Sequence, residues 1–274
     1  MMLSNQSIDL AIILVNYGSY ASLDRLLGEQ TVPPNVSIVV VDNTPHEETQ
    51  LEYVERWRGK ARVDVLIASP ENVGYMGGAR YAVSRLPWLQ DARNVAVANT
   101  DLMFDMSEYA EFFRTYRPSE RVGVIAPRLV GASGAEVRQL HYLQSPTRHK
   151  YERLGRMYRR YPIAACHRLA SDIKRNLRSS KPAKVPGVLF APHGAMMIFT
   201  RAYLDLEGAF EHPAFLFCEE AYVGATATAA GLTCIFEPSL KYSHENHGSM
   251  GWFPSRRIVG YLSEAHTRVA PLLP

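Results

Sequence analysis

Short apolar runs, each closing on a polar side chain, recur through the first hundred residues. "DLAIILVNY" (9–17), "VSIVVVDNT" (36–44), "VDVLIAS" (63–69) and "NVAVANTD" (94–101) are almost unbroken by polar positions. That is the pattern of strands covered on both faces. Between them the period lengthens. Leu23, Leu26 and Leu27 of "SYASLDRLLGEQ" fall on one side of a helix, "EETQLEYVERWRG" reads as a helix ending at Gly59, and "GGARYAVSRL" opens another. The resulting β-α-β-α-β-α-β order predicts an α/β fold, a mainly parallel central sheet flanked by helices.

From Arg121 the pattern changes. "RVGVIAPRLV" is a further strand and polar "GASGAEVR" a hairpin or loop. Segment 145–185 has apolar positions compatible with helices broken at Pro162. "GVLFAPHGAMMIFTRAYLDLEGAF" restores strand and helix patterns, and "EEAYVGATATAAG" is a small-residue helix stopped by Gly231. "LTCIFEPS" then predicts a strand and "KYSHENHGS" a polar loop. With no internal repeat or low-complexity linker, one domain over 1–274 is the simplest division.

Charge alters this picture more than composition does. Of 274 residues, 47% are hydrophobic and 21% charged, ordinary for a globular protein. Apolar runs fall far short of a membrane span. The N-terminus has no basic stretch leading into an apolar one, so no secretory signal is expected. Three cysteines without CxxC spacing point to reduced thiols in the cytoplasm and away from a thiolate metal site. The net charge of +3 hides a division: 145–185 carries twelve Lys or Arg against Glu152 and Asp172, or +10, and the rest of the chain −7. A basic helical segment with apolar positions suits a solvated face, a flexible loop or an anionic membrane surface. Lacking interleaved aromatic platforms, it does not predict nucleic acid.

Ligands of open α/β sheets bind beyond the carboxyl ends of the strands. Asn16, Asp42-Asn43, Asn72 and Asn99 to Asp101 fall at or just past four such ends. They either share one ligand rim or cap helices and turns locally. "ENVGYMGGARYAV" offers Gly74, Gly77 and Gly78 for close backbone approach to an anion, although the spacing is neither GxGxxG nor a P-loop. Arg80 either completes that site or faces solvent. Glu219-Glu220 follow an aromatic-apolar run at a helix start, and His244 and His247 follow a strand; a carboxylate with histidine suits a divalent metal.

In order, "ILVNY", "VVVDNT", "ENVGYMGG", "ANTD", "GAMMIFTRAYLDLEGAF", "FLFCEEAYVGATATAAG" and "YSHENHGS" resemble the inverting glycosyltransferases of family 2, which share the Rossmann-like GT-A fold. The closest likeness is to their rhamnosyltransferase and galactofuranosyltransferase-like branch, over about residues 8–250 without the basic insert. The resemblance implies a nucleotide-sugar-binding half (1–120) and an acceptor and catalytic half (121–274). It makes Asp42 the acceptor of a uracil or thymine N3–H and sets Asn16, Asn72, Gly74, Arg80 and Asn99 around the nucleotide sugar. Asp101 becomes the ligand of Mg²⁺ or Mn²⁺, completed by His244 with His247 as fallback, and Glu220 the catalytic base beside Glu219. Its implied partners are a UDP- or dTDP-sugar donor and a saccharide or lipid-linked saccharide acceptor for a bacterial surface polysaccharide such as O-antigen, handled in the cytoplasm or at the inner membrane face. The chain departs from the pattern where Glu220 is a methylene longer than the usual aspartate, Tyr222 stands for a second acid and Thr226 for an arginine. Those departures leave room for a glycosyltransferase-like binding protein without turnover. A sugar nucleotidyltransferase, which shares the sheet logic and the metal, and a two-carboxylate hydrolase compete with the transferase reading.

Overall fold

The computed structural model describes residues 8–45, 55–67, 71–131, 134–135, 141–167, 187–244 and 255–274. The four expected strands β1 (Leu10–Asn16), β2 (Val36–Asp42), β3 (Val63–Ile67) and β4 (Asn94–Asn99) lie parallel in the order β3-β2-β1-β4. Their side chains divide by the period of two. Ala11, Ile13, Val39, Val41, Val95 and Val97 enter one layer; Leu10, Ile12, Leu14, Ile38, Val40, Ala96 and Ala98 enter the other. Met76, Ala79 and Ala82 of α2 (Tyr75–Arg85) cover the first layer. Leu23, Leu26 and Leu27 of α1 (Tyr20–Gly28) cover the second, together with Tyr109 and Phe113 of α3 (Met106–Thr115). Each fully buried Leu or Ile contributes about 2 kcal/mol, so this double covering is what makes unbroken apolar strands stable.

Beyond β4 the same sheet continues through β5 (Leu102–Met103), β6 (Val122–Val130), β7 (Val188–Leu189), β8 (Met196–Thr200) and β9 (Thr233–His244). β8 inserts antiparallel between β4 and β6, and β9 runs parallel to β6. Hence β1, β2, β3, β4, β6 and β9 point one way, and Asn16, Asp42, Asn99 and His244 end on the rim where β8 begins. The loop expected from Lys241 is corrected: β9 continues to His244. Buried Leu240 and Tyr242 alternate there with exposed or half-exposed Ser239, Lys241 and Ser243, a half-covered strand's period.

The basic segment opens as α4 (Arg148–Tyr158), capped by Thr147, and a second helical stretch covers 161–167 with Pro162 in its first turn. Residues 168–186, with the other six Lys or Arg, lie outside the described residues. α4 is no free loop. It packs on α6 (Arg256–Val269), where the Ser263 hydroxyl donates to the Gly155 carbonyl at 2.8 Å and the Tyr151 and His266 rings lie 4.8 Å apart. Between them in sequence, α5 (Glu219–Ala229) buries Ala221, Val223, Ala225 and Ala227. Among the described residues no helix is long and apolar enough to cross a membrane.

Candidate active site

Four constellations occupy the rim. In the first, Asp42 is 1% exposed and Asn16 0%. The Asp42 carboxylate accepts from the Asn16 amide (3.1 Å), the Tyr20 hydroxyl (2.7 Å), and the Thr44 N–H (3.0 Å) and hydroxyl (2.6 Å). Burial, with the Asp42 charge adding to it, pushes the Tyr20 phenol up to about 12, so it stays a donor. Asn16 also accepts from the Ser19 N–H through Oδ1. It shapes the rim from beneath and does not line it. Tyr17, 60% exposed, follows directly and lies near Arg257 of α6.

The second is the glycine loop before α2. Asn72 accepts the Gly74 N–H at 2.8 Å, closing its own turn. Buried Asn43 donates to the Gly74 carbonyl at 3.0 Å and accepts from the Val73 N–H, tying the loop to β2. Gly74 has φ +79°, and a Cβ there would lie 2.0 Å from the Phe215 carbonyl oxygen. The loop thus rests on segment 212–218, which leads into α5. Arg80 is corrected. It is exposed and lines a separate cavity of about 580 Å³ with Gln90, Asp91 and Arg201, grouped around the start of β4 and not its end.

The third is Asp101 with His244. β5 pairs with β9 in the register Leu102 to His244, which brings the His244 Nε2 to 3.4 Å from an Asp101 oxygen. Their side chains are 14% and 19% exposed, His244 first, reachable but half-shielded. Asn99 closes β4 beside them, its N–H donating to the Ala195 carbonyl at 2.9 Å. His247 lies outside the described residues.

The fourth is the glutamate pair. Phe217 (φ +74°) and Cys218 (φ +64°) are both left-handed, at a cost of about 1–3 kcal/mol each for side chains with a Cβ. The kink turns the first residues of α5 back on the rim. Glu219 accepts the Phe217 N–H at 2.7 Å and Glu220 the Gly194 N–H at 3.1 Å. Burial raises both carboxyls, and the neighbouring Glu220 charge adds to the rise of Glu219. Two adjacent acids so placed hold a proton near neutral pH. Tyr222, where a second acid is expected, turns away: its hydroxyl donates to the Gly208 carbonyl at 3.0 Å and its ring meets His212 edge-on.

Tyr75, at the start of α2, joins these groups. Its phenol is raised first by burial, then by the charges of Glu219, Glu220, Tyr242 and Asp101. The Tyr75 hydroxyl, which donates to the Ala195 carbonyl at 3.5 Å, thus lies within the electrostatic reach of the glutamates and Asp101. Sequence reasoning missed Tyr75, Gly194 and the anchoring role of Asn43. Only Asn43 carried a signal, its place beside Asp42 at a strand end.

No protein-family model matches the chain. It is 22% identical over 266 residues to N-acetylglucosaminyl-diphospho-decaprenol L-rhamnosyltransferase of Mycobacterium tuberculosis (strain CDC 1551 / Oshkosh), covering 92% of this chain and 81% of that protein. The same-named protein of strain H37Rv matches equally. GalNAc-T7, solved with UDP, GalNAc and Mn²⁺, superposes with a TM-score of 0.54 at 12% identity, over 88% of this chain and 44% of that one. The chain thus spans less than half of that solved protein, and this likeness concerns the fold. Staphylococcus aureus TarS 1–349 gives a TM-score of 0.48 at 14% identity, over 86% and 60%. The sheet that gathers the polar strand ends on one rim has the GT-A fold of the solved neighbour, and the rhamnosyltransferase relative matched along nearly the whole chain marks this protein as a glycosyltransferase.

Proposed function

We propose that the chain transfers a sugar from a UDP- or dTDP-linked donor to a hydroxyl of a lipid-linked saccharide, with inversion, during synthesis of a bacterial surface polysaccharide. One observation carries the reading: Asp101 with His244, and the Glu219–Glu220 pair held at Gly194 before β8, lie at the same strand-end rim, both within electrostatic reach of the Tyr75 hydroxyl. The relative's name, with its diphospho-decaprenol acceptor and L-rhamnosyl group, supports the acceptor class.

The donor set of Asp101 and His244 fits a divalent cation. A carboxylate oxygen and an imidazole nitrogen converge, and among the described residues no third His, Cys, Asp or Glu joins them. Asp101 and His244 would hold an Mg²⁺ or Mn²⁺ ion by one or two side chains, as such ions are commonly held beside substrate phosphates. Such an ion offsets the negative charge of a departing diphosphate. The remaining work belongs to the chain. Asp42 and exposed Tyr17 stand where a nucleobase would enter, Asn99 lies beside the metal pair, and the Asn72–Gly74 loop brings backbone and the start of α2 to the phosphates. Glu220, with Oε1 held by the Gly194 N–H, takes the proton of the attacking acceptor hydroxyl as its oxygen bonds to the anomeric carbon. Burial raises its pKa from the ordinary carboxylate value, which makes it a stronger base than a solvated glutamate.

The exposed cations of α4 and its end, Arg148, Lys150, Arg153, Arg156, Arg159 and Arg160, supply a face for anionic lipid at the inner membrane surface. The test is a thermal-shift screen of UDP- and dTDP-sugars with Mn²⁺ on the native chain and on Asp101→Ala. A ligand at a hundred times its Kd stabilises by about 2.7 kcal/mol. The native chain should show that rise and Asp101→Ala should lose it. An equal rise in both, or none with any sugar nucleotide, overturns the reading.

A further inference from the structure

We infer that Gly194 is a positioning residue for Glu220 and that the two are matched: the Glu220 carboxylate occupies the space of the side chain Gly194 lacks. The inference rests on the reading of Glu220 as the base, but its geometry stands apart from it. The Gly194 N–H donates to Glu220 Oε1 at 3.1 Å. A Cβ on residue 194 would lie 2.7 Å from that same oxygen, 3.1 Å from Cδ and 3.6 Å from Cγ. Gly194 is not among the residues of positive φ, so the backbone itself does not demand glycine. What demands it is a carboxylate pressed against the Cα from 26 positions further along the chain.

Neither partner is free to retreat. The turn around Gly194 is pinned on both sides. The His193 N–H donates to His141 Nδ1 at 3.0 Å, and the Ala195 carbonyl accepts from the Asn99 N–H at 2.9 Å. The Tyr242 hydroxyl lies 3.3 Å from His193 Nδ1, which registers the turn against β9 two residues before His244. Glu220 is fixed from the other side by the left-handed Phe217-Cys218 kink at the start of α5. Besides the Gly194 N–H on Oε1, the residue's own backbone N–H also donates to the Glu220 carboxylate. The titratable groups around it are Glu219 and Cys218 beside it, Tyr75 of α2, Tyr151 of α4, Tyr242 of β9, and His212 and Tyr142.

The test is a double-variant cycle of Gly194→Ala, Glu220→Asp and both together, read by thermal unfolding, with the glutamate carboxyls followed by ¹³C NMR. Glu220→Gln assigns the signal. Gly194→Ala should lower Tm by about 2–6 °C through overpacking. It should also move the Glu220 titration upward, because the new Cβ pushes the carboxylate off the residue 194 N–H and weakens a hydrogen bond to the charged form. Glu220→Asp withdraws the carboxylate by one methylene and should restore at least half of that Tm loss in the double variant, a rescue that a purely structural glycine would not give. An unmoved Glu220 titration in Gly194→Ala overturns the inference. So do strictly additive Tm losses, and so does a double variant that fails to fold where Glu220→Asp alone folds. If turnover survives Glu220→Gln, the base assignment fails while this pairing is still decided by titration and Tm.

Discussion

Gly74→Ala tests how the nucleotide loop is joined to the catalytic helix. The perturbation has three parts, each visible in the structure. Gly74 has φ +79° and ψ −176°, a region that side chains with a Cβ enter only at about 1–3 kcal/mol. The new methyl would lie 2.0 Å from the Phe215 carbonyl oxygen and 3.1 Å from its carbon. Both groups are backbone, so loop and segment must part, at about 1–3 kcal/mol for a forced overpacking. Parting them stretches the 3.0 Å bond from the buried Asn43 amide to the Gly74 carbonyl, about 1 kcal/mol more. The sum is about 3–7 kcal/mol, a large fraction of the stability of a single domain. For a chain of this size each kcal/mol lowers Tm by about 2 °C, so thermal unfolding should show a loss of about 6–14 °C. Gly77→Ala is the control. Its Cβ would meet only the Val73 side chain, at 3.3 Å, and a helical Gly→Ala change returns up to about 1 kcal/mol, so Tm should stay within about 2 °C. A Gly74→Ala Tm within about 2 °C of native, or equal losses in both variants, refutes the reasoning.

Three further outcomes follow from the rim and the basic segment. Glu219, pushed up to about 8 by burial and then by Glu220, keeps in the folded state a proton that the unfolded chain has released. Stability should therefore fall as pH rises through neutrality toward 8. Buried His141 and His212, both lowered by burial, act on the other side, losing stability as pH falls below about 6.5. Urea unfolding from about pH 6.5 to 8.5 isolates the glutamate limb, and an undiminished slope in Glu219→Gln counts against the assignment. Tyr20→Phe removes one donor from the Asp42 carboxylate. If Asp42 reads a nucleobase, calorimetry should show UDP binding up to about tenfold tighter, since about 1.4 kcal/mol of competing hydrogen bond is gone; unchanged or weaker binding leaves Asp42 a strut. Vesicles containing anionic lipid should retain the chain at low salt and release it as salt screens the contact, whereas equal recovery on neutral vesicles removes the lipid reading.

The parts legible in the sequence are those whose stability is local and repetitive. β1, β2 and β4 are buried on both faces, so they have to be apolar at every position, and an unbroken run of Ile, Val and Ala announces that. β5 and β7, two residues each, have no period to read. β9 hides its second half because Ser239, Lys241 and Ser243 look like a loop until the alternation with Leu240 and Tyr242 is noticed. α6 escapes altogether for a related reason. Two of its buried positions are Ser263 and His266, polar residues that face Gly155 and Tyr151 of α4, so its inward stripe does not stand out as hydrophobic.

At the site, residue types are legible and their contacts are not. Asp101 and His244 are 143 positions apart, and only the register of a two-residue strand against the end of β9 closes them to 3.4 Å. Asp42 is the sharper case. Its carboxylate offers about four acceptor sites, and Asn16, Tyr20 and Thr44 direct four donors to it in a pocket open to 1%. A strand-end aspartate in a motif looks the same whether its oxygens await a ligand or are already engaged, because the competitors come from other elements. A nucleobase N–H must then displace a donor, and the Tyr20 phenol is the natural one to yield: its hydroxyl belongs to a half-exposed side chain, while Thr44 and Asn16 are bound into the strand ends themselves. An aspartate guarded in this way discriminates by making the base replace a bond already present, so affinity measures the difference between two hydrogen bonds and not the full strength of one.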